Sequence, residues 1–413
     1  MINVTVLDSG VRLVTEKIES VRSVAIGIWC DTGSVHEKKE EYGISHYIEH
    51  MLFKGTKNRD TFKIAEDIDG IGGQMNAFTG KESTCFYVKC LDEHFKEAAD
   101  VLVDMISEPL FDSDEMEREK SVVIEEINMN LDDPDDVALE NMESVLYRGT
   151  DMEHPIIGSK ETVSAFTRDM VCDYYFDRYS RDALVVSVAG SFDEDEVRRY
   201  FSDAFKGLRG TCEGVEVKES DSKGEMITIG KDIEQAHLAM GVRTFPITDD
   251  RKYPLQVLNM LFGGTMSSRL FKNVREKKGL AYSVCSMTGV YSSTGVFAIC
   301  AGIAKDRFDE ALDGIYEELS ILERERIGEK EFATAKEQLK SSLIFSRENI
   351  QATMIANGKS LLRLGRAVTQ DELIGEIDRV SIDDVEAIKG IVSDKNRYAV
   401  VNVTSNEAAA AAR

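Results

Sequence analysis

Residues 46–56 read His46-Tyr47-Ile48-Glu49-His50-Met51-Leu52-Phe53-Lys54-Gly55-Thr56, and residues 255–265 read Leu255-Gln256-Val257-Leu258-Asn259-Met260-Leu261-Phe262-Gly263-Gly264-Thr265. At an offset of 209 positions (46 against 255), Met-Leu-Phe-x-Gly-Thr recurs without a gap. The likeness continues beyond it at an offset that reaches 213 (95 against 308), so a few residues are inserted in the second half. Phe86-Tyr87-Val88-Lys89-Cys90 has a counterpart in Phe297-Ala298-Ile299-Cys300, and an amphipathic run follows each, at 95–102 and 308–315. Self-similarity of this extent marks one structural unit used twice. It predicts two similar halves, 1–210 and 225–407, joined by a polar, glycine-bearing linker at 211–224.

Strand and helix signals mix within each half. Apolar runs at 23–30, 183–190 and 236–242 read as strands, and the start of the chain reads as a strand ending in the turn Asp8-Ser9-Gly10. Long charged periodic segments at 113–148 and 329–363 read as helices. The expected fold class is α+β: two homologous domains, each a largely antiparallel sheet packed with helices. One copy carries His46, Glu49 and His50 where the other carries Leu255, Leu258 and Asn259. The copy with the polar set is the one equipped for chemistry; the other keeps the scaffold.

The chain has 413 residues and a formal net charge of -25. That charge argues against a nucleic-acid partner, because a phosphate backbone selects a basic surface. It suits a basic partner or substrate, and equally a solvated acidic surface that keeps the protein soluble. Seven scattered cysteines, with no Cys-x-x-Cys pair, read as reduced thiols in a cytosolic protein. Cys85 and Cys90 are an odd number of residues apart, so on one strand they face opposite ways. No basic segment followed by an apolar run opens the chain, and no apolar stretch reaches 18 residues. A soluble, cytoplasmic protein with no membrane partner is expected.

His46-x-x-Glu49-His50 places two imidazoles four positions apart, on one face of a helix and one turn apart. Two nitrogens so placed can share one Zn²⁺, and Glu49 between them can reach a water without being a ligand. The order inverts His-Glu-x-x-His, which is the inverzincin arrangement. By itself a five-residue pattern also fits an ordinary polar helix face.

His46 to Thr56 as a whole resembles the active-site helix of the pitrilysin/insulin-degrading enzyme family, nearest its bacterial and mitochondrial processing-peptidase branch. Gly72-Gly73-Gln74-Met75-Asn76-Ala77-Phe78-Thr79, Glu82 to Tyr87 and His154-Pro155-Ile156-Ile157-Gly158 match further segments of that family. The likeness covers 1–407. It implies a zinc-dependent metalloendopeptidase with one Zn²⁺ per chain, held by His46, His50 and a glutamate 76 residues beyond His50, which is Glu126. Glu49 would be the general base. Glu119, seven residues before Glu126 on the same helix face, would orient a ligand histidine. Glu125, about 100° around the helix, would point away.

The resemblance also implies that peptide lies along a strand at Asn76, Ala77 and Phe78, and that Arg275 and Tyr282 from the second half reach the substrate, Tyr282 also toward the oxyanion. Substrates would be unstructured or presequence-like peptides, cut inside a closed chamber. A chain with one pair of domains would build that chamber by pairing, most simply as a homodimer, or as a heterodimer with a related subunit. The alternative is a noncatalytic or partner-dependent subunit of a processing-peptidase-like complex. The long glycine-rich loop of the noncatalytic mitochondrial subunit is reduced here to Gly263-Gly264, so presequence capture by that device is not expected.

Overall fold

The computed structural model describes residues 2–208, 210 and 224–411. The proposed linker at 211–224 therefore lies, apart from Gly224, outside the described residues. The chain forms two compact units. One takes its residues from Met1–Ile127, His154–Val217 and Phe345–Thr369, the other from Asn128–Glu153, Lys218–Ile344 and Gln370–Arg413. Each sequence half thus gives one segment to the unit built mainly by the other half.

The first unit holds a six-stranded sheet: β1 (Ile2–Val6), β2 (Arg12–Lys17), β3 (Ser23–Cys30), β4 (Gln74–Thr79), β5 (Thr84–Leu91) and β6 (Leu184–Gly190), in the order β1-β2-β6-β3-β5-β4. All neighbours are antiparallel except β2 and β6. The inner strands β3 and β6 are buried on both faces, as their unbroken apolar runs require. One face carries the helices Ile44–Leu52 and Phe95–Ser107, whose apolar sides join the main core through Tyr47, Ile48, Leu102 and Met105. The opposite face is covered by the helix Ile350–Leu364. Cys85 packs on that second face and Cys90 on the first, as their spacing demands.

The second unit repeats the plan with five strands: β7 (Met226–Lys231), β8 (Gln235–Thr244), β9 (Ala281–Val290), β10 (Gly295–Ala304) and β11 (Ala399–Ser405), in the order β7-β11-β8-β10-β9. Only β7 and β11 run parallel. Phe86 and Phe297, matched in the repeat, lie on β5 and β10, and the helices Phe95–Ser107 and Phe308–Arg324 follow those strands. The α+β duplication therefore holds in three dimensions.

The segments expected as continuous helices are each broken once. Helix Ser113–Asp132 stops at Asp133, whose side chain accepts the amides of Asp135 and Asp136, and Pro134 opens helix Pro134–Leu146. Helix Glu329–Arg347 likewise ends before Asn349, which caps Ile350–Leu364. Both breaks sit close to a change of unit. The two re-routed helices dock alike. A Cβ on Gly27 of β3 would lie 2.2 Å from Met354 Sδ, and one on Gly241 of β8 would lie 2.2 Å from Met142 Sδ. In each sheet a glycine makes the hollow that receives a methionine from the covering helix.

Candidate metal centre

The helix Ile44–Leu52 is amphipathic. Ile44, Tyr47, Ile48, Met51 and Leu52 are buried, which turns His46, Glu49 and His50 to the remaining face. Tyr47 anchors it against the next long helix by donating to the Met116 carbonyl, 2.6 Å. That helix, Ser113–Asp132, buries Met116, Glu119, Val123 and Ile127, a spacing of three to four residues that also turns Glu126 toward the histidines. Glu125 is exposed on another side.

The geometry gathers the expected ligand set. His46 Nε2 lies 3.7 Å from Glu126 Oε1, and His50 Nε2 lies 3.3 Å from Glu126 Oε2. One ligand atom from each of His46, His50 and Glu126 falls within 4.8 Å of the others, and among the described residues these three form the one such group. Glu119 Oε1 is 2.8 Å from His50 Nδ1, so the other ring nitrogen, Nε2, is left to face Glu126. Glu119 is itself held by Lys54 Nζ at 2.6 Å. Glu49 Oε2 accepts the Thr79 hydroxyl at 2.5 Å, which pins one oxygen and leaves Oε1 for other work.

Electrostatics separate the two imidazoles. Burial, reinforced by the charge of His50, pushes His46 down to about 4 against the pull of Glu126. Burial would lower His50 too, but its bonds to Glu119 and Glu126 hold it up, to about 9. Glu126 is kept below the usual carboxylate range chiefly by its bond with His50. Burial works to raise Glu119, yet its bonds with His50 and Lys54 bring it lower. Glu49 moves the other way, raised by burial despite the Thr79 bond. A metal takes both imidazoles neutral, so binding it releases the His50 proton; Glu119 and Glu126 then outweigh Lys54, which favours a cation at the centre. Two imidazole nitrogens and a carboxylate oxygen are a donor set that zinc accepts, and three protein donors are what catalytic zinc sites use. The residues present fit the ion.

Asn76, Ala77 and Phe78 lie on β4, the edge strand of the first sheet, whose end carries Thr79. Ala77 packs toward the core; Asn76 Oδ1 accepts the Ala77 amide at 2.8 Å, and Phe78 meets Trp29 edge-on at 5.5 Å. The second unit holds the other two candidates. Arg275 sits in the π-helical segment Phe271–Lys277, its guanidinium 4.5 Å from the Phe271 ring centre. Tyr282 lies on edge strand β9 and is 77% exposed, which leaves its hydroxyl open to a ligand. In the degenerate copy, Leu255 and Leu258 are buried core residues, and Asn259 Oδ1 is tied to Ser286 Oγ at 2.7 Å.

Sequence reasoning missed Lys54 and Thr79. Lys54 lies just past the end of helix Ile44–Leu52, where helix periodicity no longer fixes which way a side chain points. Thr79 carries no signal either, because only the sheet brings β4 under Glu49.

The chain is also similar to known proteins. Residues 12–160 match the family described as insulinase (peptidase family M16), and residues 165–339 match the M16 inactive domain. A Bacillus subtilis protein named uncharacterized zinc protease YmxG is 41% identical over 402 residues, covering 96% of this chain and 97% of that protein. A Streptomyces coelicolor protein, also named an uncharacterized zinc protease, is 36% identical, covering 93% of this chain and 85% of its own length. A solved protease from Helicobacter pylori superposes with a TM-score of 0.92 at 19% identity, over 98% of this chain and 99% of that one, a likeness of fold alone. The chain belongs to the M16 family of metallopeptidases, the inverzincins of the insulinase and pitrilysin type.

Proposed function

We propose that this chain is a zinc-dependent endopeptidase that hydrolyses unstructured peptides, presequence-like segments among them, with one Zn²⁺ per chain on His46, His50 and Glu126. The observation that carries the reading is the convergence of those three side chains with Glu49 beside them. The names of the relatives, zinc proteases at 41% and 36% identity, support it.

Zinc held there would lower the pKa of water toward about 7 and polarise a peptide carbonyl. The protein's own groups do the rest. Glu49, kept basic by burial and fixed by Thr79, takes a proton from the attacking water and passes it to the departing amine. Glu119 and Lys54 hold the His50 ring in place. The open edge of β4 offers backbone groups to an extended peptide, which suits tolerance of many sequences. On the family resemblance, Arg275 and Tyr282 contribute from the second unit, and the working form is a homodimer of the processing-peptidase type that encloses its substrate.

The test is a set of unstructured peptides incubated with the protein, with and without chelator, and read by mass spectrometry. Cleavage stopped by chelator and restored by zinc is the expected result. A folded, zinc-loaded protein that cuts nothing would replace this reading with a subunit that needs a related catalytic partner.

A further inference from the structure

The metal-bearing helix begins badly. Its N-cap is Gly43, at φ +96°, with no side chain to accept the first amides. The missing acceptor comes from six residues upstream. Glu37 lies fully buried with its carboxylate across the helix start: Oε2 accepts the Gly43 amide at 2.8 Å and Oε1 accepts the Ser45 amide at 2.9 Å. A carboxylate at a helix N-terminus is favoured by the unpaired amides and by the dipole. His46 follows directly on Ser45.

Glu37 is held in turn by a segment far along the chain. His154 Nε2 donates to the Ser34 carbonyl at 2.7 Å and lies 3.4 Å from Glu37 Oε2. Its ring stacks on Tyr42, with centres 3.7 Å apart and planes 10° apart. Lys81 Nζ donates to the His154 carbonyl at 2.7 Å. The same segment presses on the cap itself, since a Cβ on Gly43 would lie 2.6 Å from the Ile157 carbonyl oxygen. The backbone there is too close for any residue but glycine, so the cap has to come from elsewhere.

We infer that Glu37, buttressed by His154, is a positioning residue for the metal centre: it fixes the first turn of helix Ile44–Leu52 and so sets where the His46 ring presents its nitrogen. This rests on the metallopeptidase reading. Glu37 touches neither the ligand atoms nor the face that a substrate would meet. Among the described residues it reaches the helix through the Gly43 and Ser45 amides. Two backbone donors need two acceptor oxygens. A glutamine at 37 presents one oxygen and one NH₂ group, so one donor faces a donor and the turn must shift.

The experiment measures zinc affinity of the full chain by competition with a chromogenic chelator. It compares wild type, Glu37→Gln, His154→Gln and Glu126→Gln, with circular dichroism confirming that each is folded. Glu37→Gln is expected to bind zinc about tenfold more weakly, with kcat lowered and KM for a cleaved peptide unchanged. His154→Gln should move in the same direction by less, and Glu126→Gln should lose the most. A folded Glu37→Gln protein with wild-type zinc affinity and kcat would overturn the proposal, because a purely structural residue would lower melting temperature and leave those two alone. If Glu37→Gln does not fold, His154→Gln decides, and wild-type zinc affinity in that variant overturns the proposal. Wild-type protein that takes up no zinc while Glu126→Gln behaves identically refutes the metallopeptidase reading instead.

Discussion

At the scale of single residues, the centre divides labour among carboxylates of similar chemistry by their surroundings. Glu126 faces two imidazoles, Glu119 is clamped between His50 and Lys54, and Glu49 is tied only to a hydroxyl in a buried place. Only Glu49 is pushed toward holding a proton, which separates the base from the ligands. Glu49→Gln should therefore lower kcat by about 10²–10⁴-fold while zinc content, read by atomic absorption, stays at the wild-type level. Lys54→Met frees one oxygen of Glu119 and loosens its hold on His50. Zinc affinity should fall by about tenfold in a chelator titration, and an unchanged affinity would remove Lys54 from the site. The histidine pair and Glu49 were legible in sequence because helix periodicity alone puts them on one face. Glu126 needed a resemblance to be found, since no local rule links residues 76 positions apart.

Among the elements, the helix breaks are the instructive case. A continuous periodic pattern at 113–148 reads as one helix, but Asp133-Pro134 is both a cap and an N1 proline. The signal was present and outweighed by periodicity. Replacing the cap, Asp133→Ala, should cost about 1 kcal/mol, seen as a lower urea midpoint. The edge strand makes a second prediction. If peptide adds to β4 through its main chain, methylating a backbone nitrogen that pairs with the strand should raise KM without changing the cleavage site. An N-methylated peptide cut as readily as its parent would place the substrate elsewhere.

For the molecule as a whole, the net charge of -25 bears on substrate choice. An acidic field gathers basic peptides, and salt weakens it. The KM of a lysine- and arginine-rich peptide should rise steeply as sodium chloride is increased, while that of an uncharged peptide of equal length should change little. Equal salt dependence would assign the charge to solubility. The proposed homodimer is checked by light scattering coupled to size exclusion, where a monomeric mass that retains full activity would rule out an enclosure made by pairing.

The amino-acid sequence alone determined the duplication, the strand-and-helix class of each copy, and the helix face that carries His46, Glu49 and His50. Each of these follows from patterns whose period is a few residues or from direct self-similarity. Tertiary structure decided the rest. It exchanged segments between the halves, since 128–153 and 345–369 pack on the sheet of the other copy. It brought Thr79 under Glu49, Lys54 onto Glu119, and Glu37 with His154 onto the start of the metal helix. Thr79, Lys54 and His154 reach their partners across tens of residues of chain, and Glu37 reaches the Ser45 amide over a segment that is not α-helical; periodicity carries no information in either case.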